Sequence, residues 1–195
     1  MNANTITIGE CRFSYVHLFK PYSSMPGQDP KFSLVALLPK SNTVAKAQLD
    51  AAIEAAKQIG LAGKWNGTAP AFLATTVHDG DGVKSNGEVY GEECRGHWVI
   101  NCNANPEYPP KVVGPDRQPI LNESDVYSGM YGWVNINFYP YLFSGKKGIG
   151  CGINAVMKTR DGQPLGGSAP TVEEAFAGVP AMPAGGVDPI TGLPR

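Results

Sequence analysis

The chain has 195 residues, enough for one ordinary globular body plus a tail, and its 24 glycines and 17 prolines favour short strands and turns over a helical bundle. The formal net charge is −1, which excludes a uniformly basic polyanion binder. Fifteen basic and 13 acidic residues precede Asp161, whereas one basic and four acidic residues follow from there on, so a mildly basic body carries an acidic tail. No run approaches a membrane span, the start shows no basic-then-apolar leader, and Cys11, Cys94, Cys102 and Cys151 have no C-x-x-C spacing; a soluble protein with free thiols and no structural metal is expected.

Taken in chain order, Thr5–Ile8 and Cys11–Phe19 alternate as strands, and the second puts Phe13, Tyr15, His17 and Phe19 on one face. The stretch 20–30 holds Pro21, Pro26, Gly27 and Pro30 and predicts a loop with Tyr22 near its tip. Residues 31–38 make an apolar strand. A single helix follows, capped by Asn42 or Thr43, striped by Ala45, Leu49, Ala52, Ile53, Ala56 and Ile59, and closed by Gly60 at C′. Its apolar stripe predicts a cap lying on the body.

A short strand is predicted near 72–77, a polar Gly-rich loop over 78–91, and a further strand over 98–103. Prolines then surround Lys111-Val112-Val113, as in a short hairpin or exposed arm. Residues 130–139 and 149–159 read as a long antiparallel hairpin around the basic turn Ser144–Gly148. After 162 Gly, Pro and Ala dominate, predicting a flexible tail over 163–195 with one helical turn near 171–177. About seven short strands and one helix imply a closed barrel or a sandwich.

The run Met130–Tyr139 is the most informative. Alternation sends Met130, Val134, Ile136 and Phe138 to a core face, and Tyr131, Trp133, Asn135, Asn137 and Tyr139 to the other. Three rings and two amides at strand spacing suit nucleobases, which present a π-face and hydrogen-bonding edges. Packing of the same rings beneath the helix is the competing reading. On the next strand Ile149, Cys151, Ile153, Ala155 and Met157 would face the core. Gly150, Gly152, Asn154, Val156, Lys158 and Arg160 would face outward, a glycine floor with basic residues for phosphates beside Lys146 and Lys147 of the turn. A second group, Arg12, Tyr15, His17, Lys20 and Lys31, surrounds the first loop, and Lys111 adds a further charge.

Enzyme motifs do not appear. The chain has neither a Gly-x-Ser-x-Gly elbow, nor a phosphate loop, nor a dinucleotide fingerprint. A thiol hydrolase using Cys94 or Cys102 with His97 would need a depressed thiol pKa. His78-Asp79-Gly80-Asp81 is only a weak metal motif, and neither cofactor nor metal is expected.

Longer motifs carry a resemblance. They include Phe13-Ser14-Tyr15 with Phe19-Lys20-Pro21, then Pro30–Lys40, then Pro110-Lys111-Val112-Val113 through Gln118-Pro119-Ile120. They continue as Tyr127-Ser128-Gly129-Met130-Tyr131-Gly132, Asn135–Tyr139, Gly145–Asn154 and Asp161–Gly167. In these the chain resembles the tailed-phage single-stranded-DNA-binding proteins once known only as a domain of unknown function. The resemblance implies an OB-fold over 1–162, no enzymatic activity, and sequence-independent binding of single strands during phage DNA replication or recombination, in the host cytoplasm. It leaves open duplex DNA as a further ligand, self-association on DNA, and replication or recombination partners of the tail. A structural β-protein of the virion is the alternative. Replicative binding proteins of other families often end in a dense acidic tip; here the last residues are Ile190-Thr191-Gly192-Leu193-Pro194-Arg195 and the tail's one acidic pair is Glu173-Glu174, which argues against partner recruitment by the tail.

Overall fold

A computed structural model describes residues 2–166 and Gly178. One compact unit spans Met1–Leu165. The expected tail helix near 171–177 and most of the expected partner-binding tail lie outside the described residues.

The strands are β1 (Thr5–Tyr22), β2 (Lys31–Pro39), β3 (Val77–Asp79), β4 (His97–Ala104), β5 (Lys111–Val113), β6 (Tyr131–Phe143) and β7 (Lys146–Arg160), and α1 (Thr43–Ala62) follows β2. Their order is β3-β4-β2-β1-β6-β7-β5, and an additional parallel pairing of β4 with β7 closes a five-stranded barrel, β1-β2-β4-β7-β6. This is the closed OB-type barrel, in which each of the five strands has a partner on both sides, with β3 and β5 added at its rim. The core is built from one face of each strand, including Ile8, Phe13, Leu34, Ile100, Val134, Ile136, Phe138, Ile149 and Val156.

The helix forms where the apolar spacing places it. Asn42 caps it, its side chain accepting from the Ala45 N–H at 3.1 Å. Ala45, Leu49, Ala52 and Ala56 join the barrel core, so small side chains let the helix approach the barrel closely. Gly60 is no C′ residue. The helix runs two residues further, and a Cβ at Gly60 would lie 2.7 Å from the Trp65 ring and 2.9 Å from Pro140. Trp65 is fully buried there, donating its indole N–H to the Tyr141 carbonyl at 3.0 Å.

Two of the sheet's register shifts overturn faces expected from the alternation. On β1, Ser14 pairs with Val35 but His17 pairs with Ser33, so one extra residue enters β1 between them. Tyr15 takes φ 48 at this point. Phe13 and Leu18 therefore point into the core while Tyr15 stands 67% exposed, and the expected common face of Phe13, Tyr15, His17 and Phe19 does not form. On β7, Asn135 pairs with Ala155 but Ile136 pairs with Ile153, leaving Asn154 as the extra residue. Val156 consequently enters the core, and Ala155 and Met157, expected inside, turn outward.

Candidate nucleic-acid interface

Strand register places polar side chains in rows across the outside of the barrel. His17 pairs with Ser33, Ser33 with Asn103, Asn103 with Gly152, and Gly152 with Asn137. One pleat along, roughly 7 Å away, Ser14, Val35 and Asn101 form the next row. The third row, Leu37 with Val99, is sealed beneath Cys94 in a small second core.

His17, Ser33 and Asn103 of the first row floor a cleft of about 730 Å³. The β1–β2 loop walls one side with Tyr22, Ser24, Gln28 and Asp29, and Phe143 at the tip of the β6–β7 hairpin walls another. The His17 and Tyr22 rings stack at 4.3 Å with 12° between their planes. Tyr15, Tyr22 and Phe143 are all mostly exposed, three rings with little of their own protein to cover them. Lys31 lies in the cleft and has no salt bridge among the described residues, so it offers a free positive charge. Such a combination can stack flat aromatic groups and hold an anion beside them.

The expected β6–β7 platform is more occupied by its own protein. Tyr139 lies over Gly150 and Asn137 over Gly152; a Cβ at either glycine would fall 2.6 Å from the covering side chain. The glycine floor is thus covered by cross-strand neighbours and not open to a polymer. Burial raises the Tyr139 pKa, yet its ring edge stays exposed. Asn135 donates to the Thr7 hydroxyl at 2.8 Å and accepts from Asn154 at 2.8 Å. Trp133 packs against Gly9 and is 40% exposed. Arg160 stacks 3.5 Å from the Tyr131 ring centroid, with Arg12 at 5.8 Å from the same centroid.

The basic residues divide by partner. Arg160 pairs with Glu10 at 2.9 Å, and hydrogen bonds from Thr159 and Arg160 hold the Glu10 carboxyl below its ordinary pKa. Lys158 is largely covered, bonding the Asp161 carboxylate at 2.6 Å and the Asp125 carbonyl at 2.6 Å. Lys147 donates to the Trp65 and Thr68 carbonyls, anchoring the segment after α1. Lys20 pairs with Glu123 at 3.0 Å. Lys146 and Lys111 are exposed, with no salt bridge among the described residues.

Ser33, Asn101, Asn103, Tyr22 and Phe143 were absent from the expected contact set. A signal for two of them existed: Asn101-Cys102-Asn103 repeats the amide alternation of Asn135-Ile136-Asn137. Three of the four thiols are shifted away from the reactive thiolate. Burial pushes the Cys11 thiol up to about 12 and raises Cys94. Cys102 is raised by its contact with Cys151, 3.4 Å away in the core, and by burial. Asp79 and Asp81 of the weak metal motif are both held by Lys40, and the described residues contain no cluster of three metal-ligating groups.

Residues 4–184 match the family described as Enterobacter phage Enc34, ssDNA-binding protein. Among solved structures, the chain is similar to the single-stranded DNA-binding protein from bacteriophage Enc34 in complex with ssDNA, with 28% identity, 84% of this chain and 90% of that chain covered, and a TM-score of 0.69. The C-terminal truncation of that protein matches with 28% identity, 84% and 89% coverage, and a TM-score of 0.67. The chain also shares a fold with gp2.5, a single-stranded DNA binding protein encoded by bacteriophage T7, at 11% identity, 94% and 98% coverage, and a TM-score of 0.58. No curated protein matches the sequence.

Proposed function

The chain belongs to the phage Enc34 single-stranded-DNA-binding family, and from that premise we propose that it binds and protects single-stranded DNA through the cleft between the β1–β2 loop and the β6–β7 tip. It does so without catalysing a reaction, as a family of binding proteins implies. The observation that carries the placement is the convergence of Tyr15, the stacked His17–Tyr22 pair, Phe143 and the free Lys31 over a row of serine and asparagine side chains. Rings stack on bases of any sequence at roughly 1–3 kcal/mol each, and lysine holds the phosphates between them.

Six of the residues expected from sequence fall in this reading. Tyr15, His17 and Lys31 line the cleft, and Asn137, Tyr139 and Lys146 extend it onto the outer face of β6 and β7. Lys20, Lys147, Lys158 and Arg160 are each engaged by partners of their own, and Tyr131 has the Arg160 and Arg12 guanidinium groups near its ring. Lys111, Trp133, Asn135 and Asn154 lie outside the cleft. Phage DNA replication and recombination are the processes that expose long single strands, and protection there is the role that sequence-tolerant stacking serves.

The test is an anisotropy titration of a fluorescein-labelled oligo(dT) over a salt series. Expected is binding that weakens steeply as salt rises, and a loss of affinity in Phe143→Ala that leaves the salt slope unchanged. Salt-insensitive binding, or none at low salt, overturns the proposal.

A further inference from the structure

A second cleft, of about 760 Å³, opens one row along from the first and shares Tyr15 with it. Its floor is the row Ser14, Val35 and Asn101. Its outer wall is a small arm closed by a bridge between Val83 and Val89, both exposed, and Tyr90 continues that wall. His78 borders it and stacks loosely on Tyr90 at 6.5 Å. Val83, Val89 and Tyr90 give the walls an apolar part, and the floor presents polar groups that are open to solvent and to a ligand. Among the described residues, neither the Ser14 hydroxyl nor the Asn101 amide nor the His78 ring makes a hydrogen bond, although Ser14 is only 5% exposed.

Burial lowers the His78 pKa, which favours a neutral ring with one donor and one acceptor. The charges at the mouth sum to a net negative. Lys84 is paired with Glu88 at 3.7 Å, and the Glu93 carboxylate also lines the cleft. A phosphate gains nothing there. A flat, uncharged ring with a hydrogen-bonding edge fits both the apolar part of the walls and the polar floor.

We propose that this second cleft is a nucleobase recess: a strand held in the first cleft turns at Tyr15 and inserts one base beneath the Val83–Val89 arm, its edge meeting Ser14 and Asn101. The inference rests on the single-strand reading above and adds a base preference at one position of an otherwise sequence-tolerant path. Tyr15, standing between the two clefts, is the natural point for the turn.

The test uses the full chain and oligo(dT) in which each thymine in turn is replaced by photoreactive 5-iododeoxyuridine, followed by peptide mapping. Adducts on Tyr90 or His78, alongside those on Tyr15, Tyr22 or His17, are expected. Asn101→Ala, at an exposed strand position, should then change the ratio of affinities for oligo(dT) and oligo(dA) by about two- to tenfold, the worth of one or two neutral hydrogen bonds. Adducts confined to the first cleft, or a ratio unmoved in Asn101→Ala, overturn the recess and leave single-strand binding standing. Failure of the unmodified oligonucleotide to bind overturns both.

Discussion

Replacing Tyr15 by glycine should move stability and binding in opposite senses. Tyr15 sits at φ 48, where a bulky L-residue is an outlier. That conformation costs about 1–2 kcal/mol, whereas glycine adopts it freely but gives up about 0.5–1 kcal/mol of chain entropy on folding. The ring is 67% exposed, so its removal uncovers little apolar surface. The balance is a fold that is unchanged or more stable by up to roughly 1 kcal/mol. Binding should weaken instead, by roughly 1–3 kcal/mol for one lost stacking platform, or about 5- to 150-fold in Kd. Urea unfolding reports the first quantity as a shift in midpoint at constant slope, and oligo(dT) anisotropy reports the second. The slope of log affinity against log salt should stay as in the parent, because no charge is removed. A variant that unfolds more easily by over 1 kcal/mol while binding normally would refute the argument. It would mean that the strained tyrosine serves the fold and not the ligand.

Lys31→Ala should reduce the salt slope by about 0.7, one phosphate contact on a single strand, whereas Lys20→Ala, removing a lysine already paired with Glu123, should leave the slope unchanged; the same titration checks both. Asn42→Ala removes the cap of α1 and should cost about 1 kcal/mol in urea unfolding without altering affinity for oligo(dT). Glu10→Gln tests the Arg160 pair through pH. The folded carboxyl titrates below its ordinary value, so its stabilising effect is present above the unfolded pKa and disappears as pH falls through the folded one. Thermal unfolding should therefore show the parent more stable than Glu10→Gln at pH 7, by about 1 kcal/mol or less for so solvent-exposed a pair, with the two converging at acid pH.

Much of the architecture was legible in the sequence because it depends on local chemistry. Period-two alternation marked β6 and the inner face of its core residues, the 3.6-residue stripe marked α1, and Asn42 marked where the helix begins. Rings and amides at strand spacing marked a surface suited to bases. Long motifs tied the chain to its family.

What the tertiary structure alone decided depends on partners far along the chain. One extra residue at Tyr15 and another at Asn154 invert the strand faces that follow them, and no local pattern announces a bulge that cross-strand register creates. Arg160 meets Glu10, Lys20 meets Glu123, and Lys147 meets the Trp65 and Thr68 carbonyls, so lysines and arginines of equal promise in sequence differ in whether any charge remains for a phosphate. The glycines of β7 lie under Tyr139 and Asn137 because antiparallel pairing sets them opposite each other. The cleft itself exists only where barrel closure brings the β1–β2 loop, Asn103 and Phe143 together. The kind of surface could be read from residue order, but its place on the barrel is set by strand register and charge pairing.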